Sequence, residues 1–252
     1  MSITAREPVA PGAAHPALPS SAPAYADTCV VIPMYNEASV ISDVVTRILE
    51  LFPNVVCVDD GSVDNSVELA AAAGATVVRH SVNLGQGAAL QTGIEFGLAG
   101  SADIQYFLTF DADGQHRVED AVAMVSEARK GEVDVVLGSR FLGSVRHIPR
   151  SRRLVLRAAV VFTRMTTGLA LTDAHNGLRV LNRSAAACLR LRLTGMAHAS
   201  EILNVIARSQ LTYRELPIEV LYTDYSRQKG QSSINAVNIV FDLMVHRLRF
   251  AR

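Results

Sequence analysis

Short, nearly uninterrupted apolar runs alternate along this chain with stretches whose apolar residues recur at helical spacing. Thr28-Cys29-Val30-Val31-Ile32-Pro33 is the first run. Its lack of polar alternation suits a strand buried on both faces and ended by proline. After the loop Met34-Tyr35-Asn36-Glu37, Ser39 is placed to cap a helix whose Ile41, Val44, Val45, Ile48 and Leu49 share one face. Val55-Val56-Cys57-Val58 and Ala75-Thr76-Val77-Val78 predict two more strands, Phe107 to Phe110 a fourth, and Val133 to Leu137 a fifth. Helices are expected between them, from near Asn65, over Ala88 to Gly97, and over Glu119 to Lys130. This alternation predicts an α/β fold, a mostly parallel sheet flanked by helices.

The second half reads differently. Leu178-Arg179-Val180-Leu181 is strand-like, a helix starts near Ala199, and Leu216 to Val220 reads as an edge strand because of Pro217. Tyr222 to Ser233 is a polar loop presenting Arg227 and Lys229. Residues 234–252 form an expected amphipathic C-terminal helix with Val237, Val240, Phe241, Met244, Val245 and Leu248 on one side. Residues 1–27, with five prolines among Ala and Ser and no periodicity, read as a disordered tail. Residues 28–233 then form the main domain.

Composition narrows the field. With 24 basic and 24 acidic residues the net charge is zero, so no global field attracts nucleic acid. Cys29, Cys57 and Cys188 are far apart, match no metal spacing, and suit buried free thiols in a reducing compartment. No charged segment followed by an apolar one marks a signal peptide, and no apolar stretch approaches the ~20 residues of a spanning helix. A soluble chain is expected. Charge is nevertheless uneven. From Val135 to Thr172 there is no Asp or Glu, while Arg140, Arg146, Arg150, Arg152, Arg153, Arg157 and Arg164 are interleaved with apolar residues. Such a segment fits anionic phosphate and a membrane surface.

The candidate chemistry sits at strand ends. Asp111-Ala112-Asp113-Gly114 follows the fourth strand, and Gly114 permits the sharp turn that would aim both carboxylates at one point. Hard oxygen ligands in that position suit Mg²⁺ or Mn²⁺ with open positions for phosphate. Asp59-Asp60-Gly61-Ser62 ends the second strand; one aspartate is expected to cap the turn and the other to accept from a base or ribose. Gly85 and Gly87 open a helix where backbone N–H groups can approach a phosphate. Gly138-Ser139-Arg140 ends the fifth strand. His175, in the turn Asp173 to Gly177, is a candidate ligand to metal or acceptor, and Glu201, near the start of its helix, suits the helix dipole.

Four motifs in order, Val31-Ile32-Pro33-Met34-Tyr35-Asn36-Glu37, Val58-Asp59-Asp60-Gly61-Ser62, Asn83-Leu84-Gly85-Gln86-Gly87 and Asp111-Ala112-Asp113-Gly114-Gln115, resemble family 2 glycosyltransferases of the GT-A fold. The second half is similar to the polyprenyl-phosphate branch, typified by dolichyl-phosphate mannose synthase. The matching stretches are Gly138 to Arg140, the arginine-rich segment, Asp173 to Arg179, Leu216-Pro217-Ile218, and Lys229 to Ser232. Within that branch the chain looks nearest to actinobacterial polyprenyl-phospho-N-acetylgalactosaminyl synthases. It departs from the branch's pattern at Arg157, where serine is common, and in ending the late loop Gly230-Gln231-Ser232-Ser233. The resemblance implies transfer of a sugar from a UDP-sugar, such as UDP-N-acetylgalactosamine, or from GDP-mannose, to a polyprenyl phosphate for cell-envelope glycoconjugates. It implies Pro33, Tyr35, Glu37 and Asp60 at the nucleotide, with Gly85, Gly87 and Ala112 in the same donor-binding set. Asp111, Asp113 and Gln115 would hold Mg²⁺ or Mn²⁺, and Arg140, Arg153, Arg227 and Lys229 the donor and acceptor phosphates. Asp113, Arg140 and Asp173 are the expected catalytic set. The implied location is cytoplasmic, peripheral on the inner face of the plasma membrane, with the lipid surface or a small integral membrane protein as partner. The alternatives are a saccharide or protein acceptor, whose hydroxyl would need a base such as Asp173 or Glu201, or a non-catalytic nucleotide-sugar-binding scaffold.

Overall fold

The computed structural model describes residues 24–142, 160–161, 163–174, 176–192 and 197–221. Residues 1–23 of the tail, Arg146 to Arg157 with Arg153 among them, His175, the loop bearing Arg227 and Lys229, and the helix expected over 234–252 lie outside the described residues.

Seven strands form one sheet in the order β3-β2-β1-β4-β6-β5-β7. They are β1 Thr28–Met34, β2 Asn54–Asp59, β3 Thr76–Arg79, β4 Tyr106–Thr109, β5 Val135–Ser139, β6 Arg179–Asn182 and β7 Tyr213–Pro217. All pairs are parallel except those of β6, which runs antiparallel between β4 and β5. The mostly parallel expectation therefore holds. The proline-bearing strand β7 lies at the edge, three residues earlier than its pattern suggested, and pairs with β5 alone. Strand β1 does not stop at Pro33 but continues to Met34. The β1–β4 ladder ends at Val31 and Thr109, so the N–H that Pro33 lacks has no partner strand to serve.

The helices are α1 Ile41–Leu49, α2 Ser66–Ala72, α3 Gln86–Ala99, α4 Val118–Ala128, α5 Arg183–Cys188 and α6 Ala197–Arg208. Two apolar cores lie on opposite faces of the sheet. Ile41, Val44 and Ile48 of α1 join Met124 and Val125 of α4 against Val30, Ile32, Leu108 and Val180. Leu90 and Ile94 of α3 join Ile202 and Ile206 of α6 against Val31, Phe107, Leu137 and Leu181. Alternate residues of one strand thus serve both layers, which is why the strands read as unbroken apolar runs. Ser39 does not cap α1. Val40 holds the N-cap position without a side-chain bond, and the Glu37 carbonyl accepts the N–H groups of Val40 and Ile41 at 3.0 Å. Tyr25, near the end of the expected tail, is buried against Phe52 at 4.8 Å between ring centroids, with the Arg129 guanidinium over its ring.

Candidate active site

The parallel strands deliver their C-terminal loops to one edge of the sheet, where open α/β sheets bind ligands. The loops after β1 and β2 are stitched together there. Asn36 adopts a left-handed conformation (φ 53°), which its short polar side chain tolerates. Its N–H donates to Ser62 Oγ at 2.8 Å, and its Oδ1 accepts the Val63 N–H at 3.0 Å. The Glu37 N–H donates to Ser66 Oγ at 2.7 Å. Tyr35 is exposed and Glu37 is buried between these loops.

Both aspartates at the end of β2 are engaged. Asp59 accepts the Ser62 N–H at 3.2 Å and pairs with Arg79 at 3.3 Å, so it is the turn-capping member. Asp60, also buried, accepts the N–H groups of Leu84 at 2.9 Å and Gly85 at 2.7 Å and bonds His80 Nδ1 at 2.8 Å. His80 Nε2 reaches Thr92 Oγ1 at 3.0 Å, tying the loop to α3. The Gly85 N–H is thus committed to Asp60, and Gly85 itself takes a left-handed φ of 94° at the start of α3; Gly87 is buried in the first turn.

The turn after β4 is built as its sequence implied. Gly114 has φ 71°, and the Gln115 N–H donates to Asp113 Oδ1 at 3.0 Å. Ala112 is buried between the two carboxylates. Asp111 is held on three sides. Gln86 Nε2 donates to its Oδ1 at 3.1 Å, and His116 Nε2 bonds its Oδ2 at 2.9 Å. Gly177 packs so closely that a Cβ there would stand 2.1 Å from Oδ2. Burial works to raise the Asp111 pKa. The hydrogen bond and charge of His116, with Arg179 and His198 behind it, outweigh burial and hold the carboxyl below its usual range. Asp113 moves the other way, raised to about 6 by burial first and then by the charges of Asp111 and Glu37. Adjacent carboxylates pushed apart in this way mark a crowded negative site, and hard oxygen donors under mutual repulsion fit a divalent cation. Among the described residues, no three His, Cys, Asp or Glu side chains gather into a complete metal site, so ligands from a bound phosphate would have to finish it.

Two strands along, Arg140 follows β5 and meets Asp173 in a two-pronged ion pair, Nε to Oδ2 at 2.6 Å and Nη2 to Oδ1 at 2.8 Å. The Asp173 side chain is 1% exposed. Its loop is anchored from β7 by Glu215, whose carboxylate accepts the N–H groups of Thr172 at 2.8 Å and Asp173 at 3.1 Å. The sequence motifs named Gln86, Gly177 and Arg179 without giving them a role, and left out His116 and Glu215. Apart from that of His116, five residues from Asp111, their contacts cross 25 to 68 residues of chain, and only the alternating polar residue in an apolar run, Arg179 in β6 and Glu215 in β7, hinted at buried charge. Glu201 accepts the Arg192 N–H at 2.9 Å, a loop-anchoring contact.

Residues 29–190 match the protein family described as Glycosyl transferase family 2. The chain is 32% identical to an uncharacterized protein of Methanocaldococcus jannaschii, covering 87% of this chain and 91% of that one. It is 27% identical to the UDP-N-acetylglucosamine-dolichyl-phosphate N-acetylglucosaminyltransferase of Methanococcus voltae, over 87% and 95% of the two chains. Among solved structures, its fold is similar to glucosyl-3-phosphoglycerate synthase from Mycobacterium tuberculosis in complex with Mn²⁺, UDP-glucose and phosphoglyceric acid. That match has a TM-score of 0.62 and 20% identity, covering 86% of this chain and 78% of the other.

Proposed function

The chain belongs to glycosyl transferase family 2, and from that premise we propose that it moves a sugar from a nucleotide-sugar to the phosphate of a polyprenyl lipid. The observation that carries this reading is the pairing on one sheet edge of the crowded Asp111 and Asp113 carboxylates with the Arg140–Asp173 ion pair. The first suits the metal and diphosphate of a donor, and the second suits a phosphate acceptor. Similarity to a relative named for dolichyl-phosphate as acceptor supports the lipid.

Asp111 and Asp113 would hold the cation, with Gln115 beside them. Once bound, that cation supplies Lewis-acid neutralisation of the departing nucleoside diphosphate. Tyr35 and Glu37 border the loop that would receive the nucleotide. Asp60 orders the turn into α3 and retains acceptor capacity beyond its three bonds. Arg140 keeps its charge at any working pH and grips phosphate through a planar fork. Asp173 fixes the orientation of that fork. Arg153, Arg227 and Lys229 would add to the phosphate-binding charge. In the reaction, the bond between the anomeric carbon and the nucleotide's phosphate oxygen breaks as a lipid phosphate oxygen bonds that carbon, with inversion. The attacking oxygen is already anionic near neutral pH, so no strong general base is needed. Among the described residues no helix is long and apolar enough to cross a membrane. Peripheral association with the cytoplasmic face, where the arginine-rich segment meets anionic lipid, accords with a lipid acceptor.

The test is incubation of the purified chain with Mn²⁺ or Mg²⁺, a short polyprenyl phosphate and a panel of UDP- and GDP-sugars, read by mass spectrometry. A glycosyl-phosphoryl-lipid from one donor is expected. Transfer only to a saccharide or protein hydroxyl would refute the acceptor class.

A further inference from the structure

Arg179 is a charge that the fold does not account for. It opens β6, opposite Thr109 of β4 and Leu137 of β5. Gly177, two residues before Arg179, packs directly against the Asp111 carboxylate, so the antiparallel insertion of β6 brings a cation into the neighbourhood of Asp111. Arg179 is 2% exposed, and among the described residues its Nη1 has no hydrogen-bond partner. The charges of Asp111 and Asp173 both act on it, yet burial dominates and pushes its pKa down to about 10. It remains cationic at neutral pH. A desolvated guanidinium with an unmet N–H works against stability.

Asp111 does not need Arg179 for its position. Gln86, His116 and the close face of Gly177 already fix it. What Arg179 adds at Asp111 is charge. We propose that Arg179 is a built-in competitor for the divalent cation at Asp111, so that the metal is held firmly only together with a nucleoside diphosphate and leaves with it. The proposal rests on the reading of Asp111 and Asp113 as the metal-holding pair. A fixed positive charge facing the same carboxylate weakens a bound divalent cation by at least about tenfold, the value for water-like screening at roughly 6 Å. Two carboxylates so opposed retain a bare ion poorly. The diphosphate supplies the missing oxygens, and after transfer the product and its ion can depart as one unit. An ion held firmly by the protein alone would instead retain the diphosphate.

The experiment measures Mn²⁺ binding by electron paramagnetic resonance at pH 7.5, without and with UDP or GDP, for the full chain and for Arg179→Met, Arg179→Gln and Arg179→Lys. The wild type is expected to bind Mn²⁺ weakly alone and much more tightly with the matching nucleotide. Arg179→Met should bind Mn²⁺ alone at least about tenfold more tightly, with the nucleotide's enhancement reduced accordingly, and should melt no lower than the wild type. Arg179→Lys should restore wild-type behaviour. Unchanged or weaker binding of bare Mn²⁺ in the neutral variants would overturn the proposal. So would failure of both neutral variants to fold while lysine folds, which would assign Arg179 to the fold. A wild type whose Mn²⁺ binding is insensitive to both nucleotides and to Asp113→Asn refutes the metal-holding pair itself. That result is distinct from nucleotide-enhanced binding that Arg179 does not influence.

Discussion

Adding one methyl group at Gly177 should uncouple the site from the fold. A Cβ built there would lie 2.1 Å from Asp111 Oδ2 and 2.6 Å from both Cγ and Oδ1, where real Cβ atoms essentially never come within 3.0 Å. The backbone of Gly177 does not demand a left-handed φ, so the conflict is steric and directed at one side chain. To restore 3.0 Å from 2.1 Å, the carboxylate must retreat by nearly 1 Å. Retreat strains its bonds to His116 at 2.9 Å and Gln86 at 3.1 Å. Overpacking of this kind costs about 1–3 kcal/mol, or a Tm lower by roughly 3–10 °C for a domain of this size. The loss of turnover should be larger in proportion, about 100-fold, because a displacement near 1 Å at a reacting centre has that effect. Gly93→Ala is the control. Its Cβ would meet Val31 Cγ1 at 2.3 Å in the core beneath α3, a comparable clash away from Asp111. Lipid-linked product formation per folded molecule, measured beside thermal melting, separates the two. Gly177→Ala with wild-type turnover, or a Gly93→Ala variant as impaired in turnover as Gly177→Ala, would refute the reasoning.

Three further outcomes follow from the same structure. Asp113→Asn should abolish turnover and raise Tm at pH 7.5, because burial and the charges of Asp111 and Glu37 raise its pKa to about 6 and so oppose its ionised form in the fold; purified Asp113→Asn that still turns over would contradict its role. Glu127 is buried, which raises its pKa, but its bonds to Lys130 at 2.6 Å and to Arg214 outweigh burial and bring the net value below the usual 4.5. Its stabilisation is therefore complete above pH 4.5 and lost as pH falls through the depressed native value. Wild-type Tm should fall more steeply than that of Glu127→Gln below pH 4.5, and parallel curves would count against the linkage. Burial pushes the Cys29 and Cys57 thiols up to about 12, whereas Cys188 is exposed. A disulfide-exchange reagent should find one fast thiol in the native chain and three after denaturation; a second fast thiol would show that the strand core opens.

The amino-acid sequence by itself determined the strands, most helices and the positions where chemistry could sit. Those are local properties. An unbroken apolar run such as Thr28 to Ile32 must be buried on both faces, and Asp111-Ala112-Asp113-Gly114 can turn only where glycine permits. The pair Asp59-Asp60 was legible as one capping and one outward-looking residue, but not that His80, Leu84 and Gly85 would take up the second. The failure of Ser39 to cap α1 has a similar origin, since the Glu37 carbonyl, fixed by the loop stitching to β2, reaches those N–H groups first. Strand order is not local. It depends on which apolar faces cover one another after collapse, and no spacing rule in the chain says that β6 inserts backwards between β4 and β5. That insertion alone places Arg179 beside Asp111 and Asp173, lays Gly177 against a carboxylate 66 positions earlier, and lets Glu215 of β7 anchor the Asp173 loop. The sequence named the reactive groups because their chemistry is carried residue by residue; the tertiary structure decided their charges and distances because those depend on neighbours that only burial brings together.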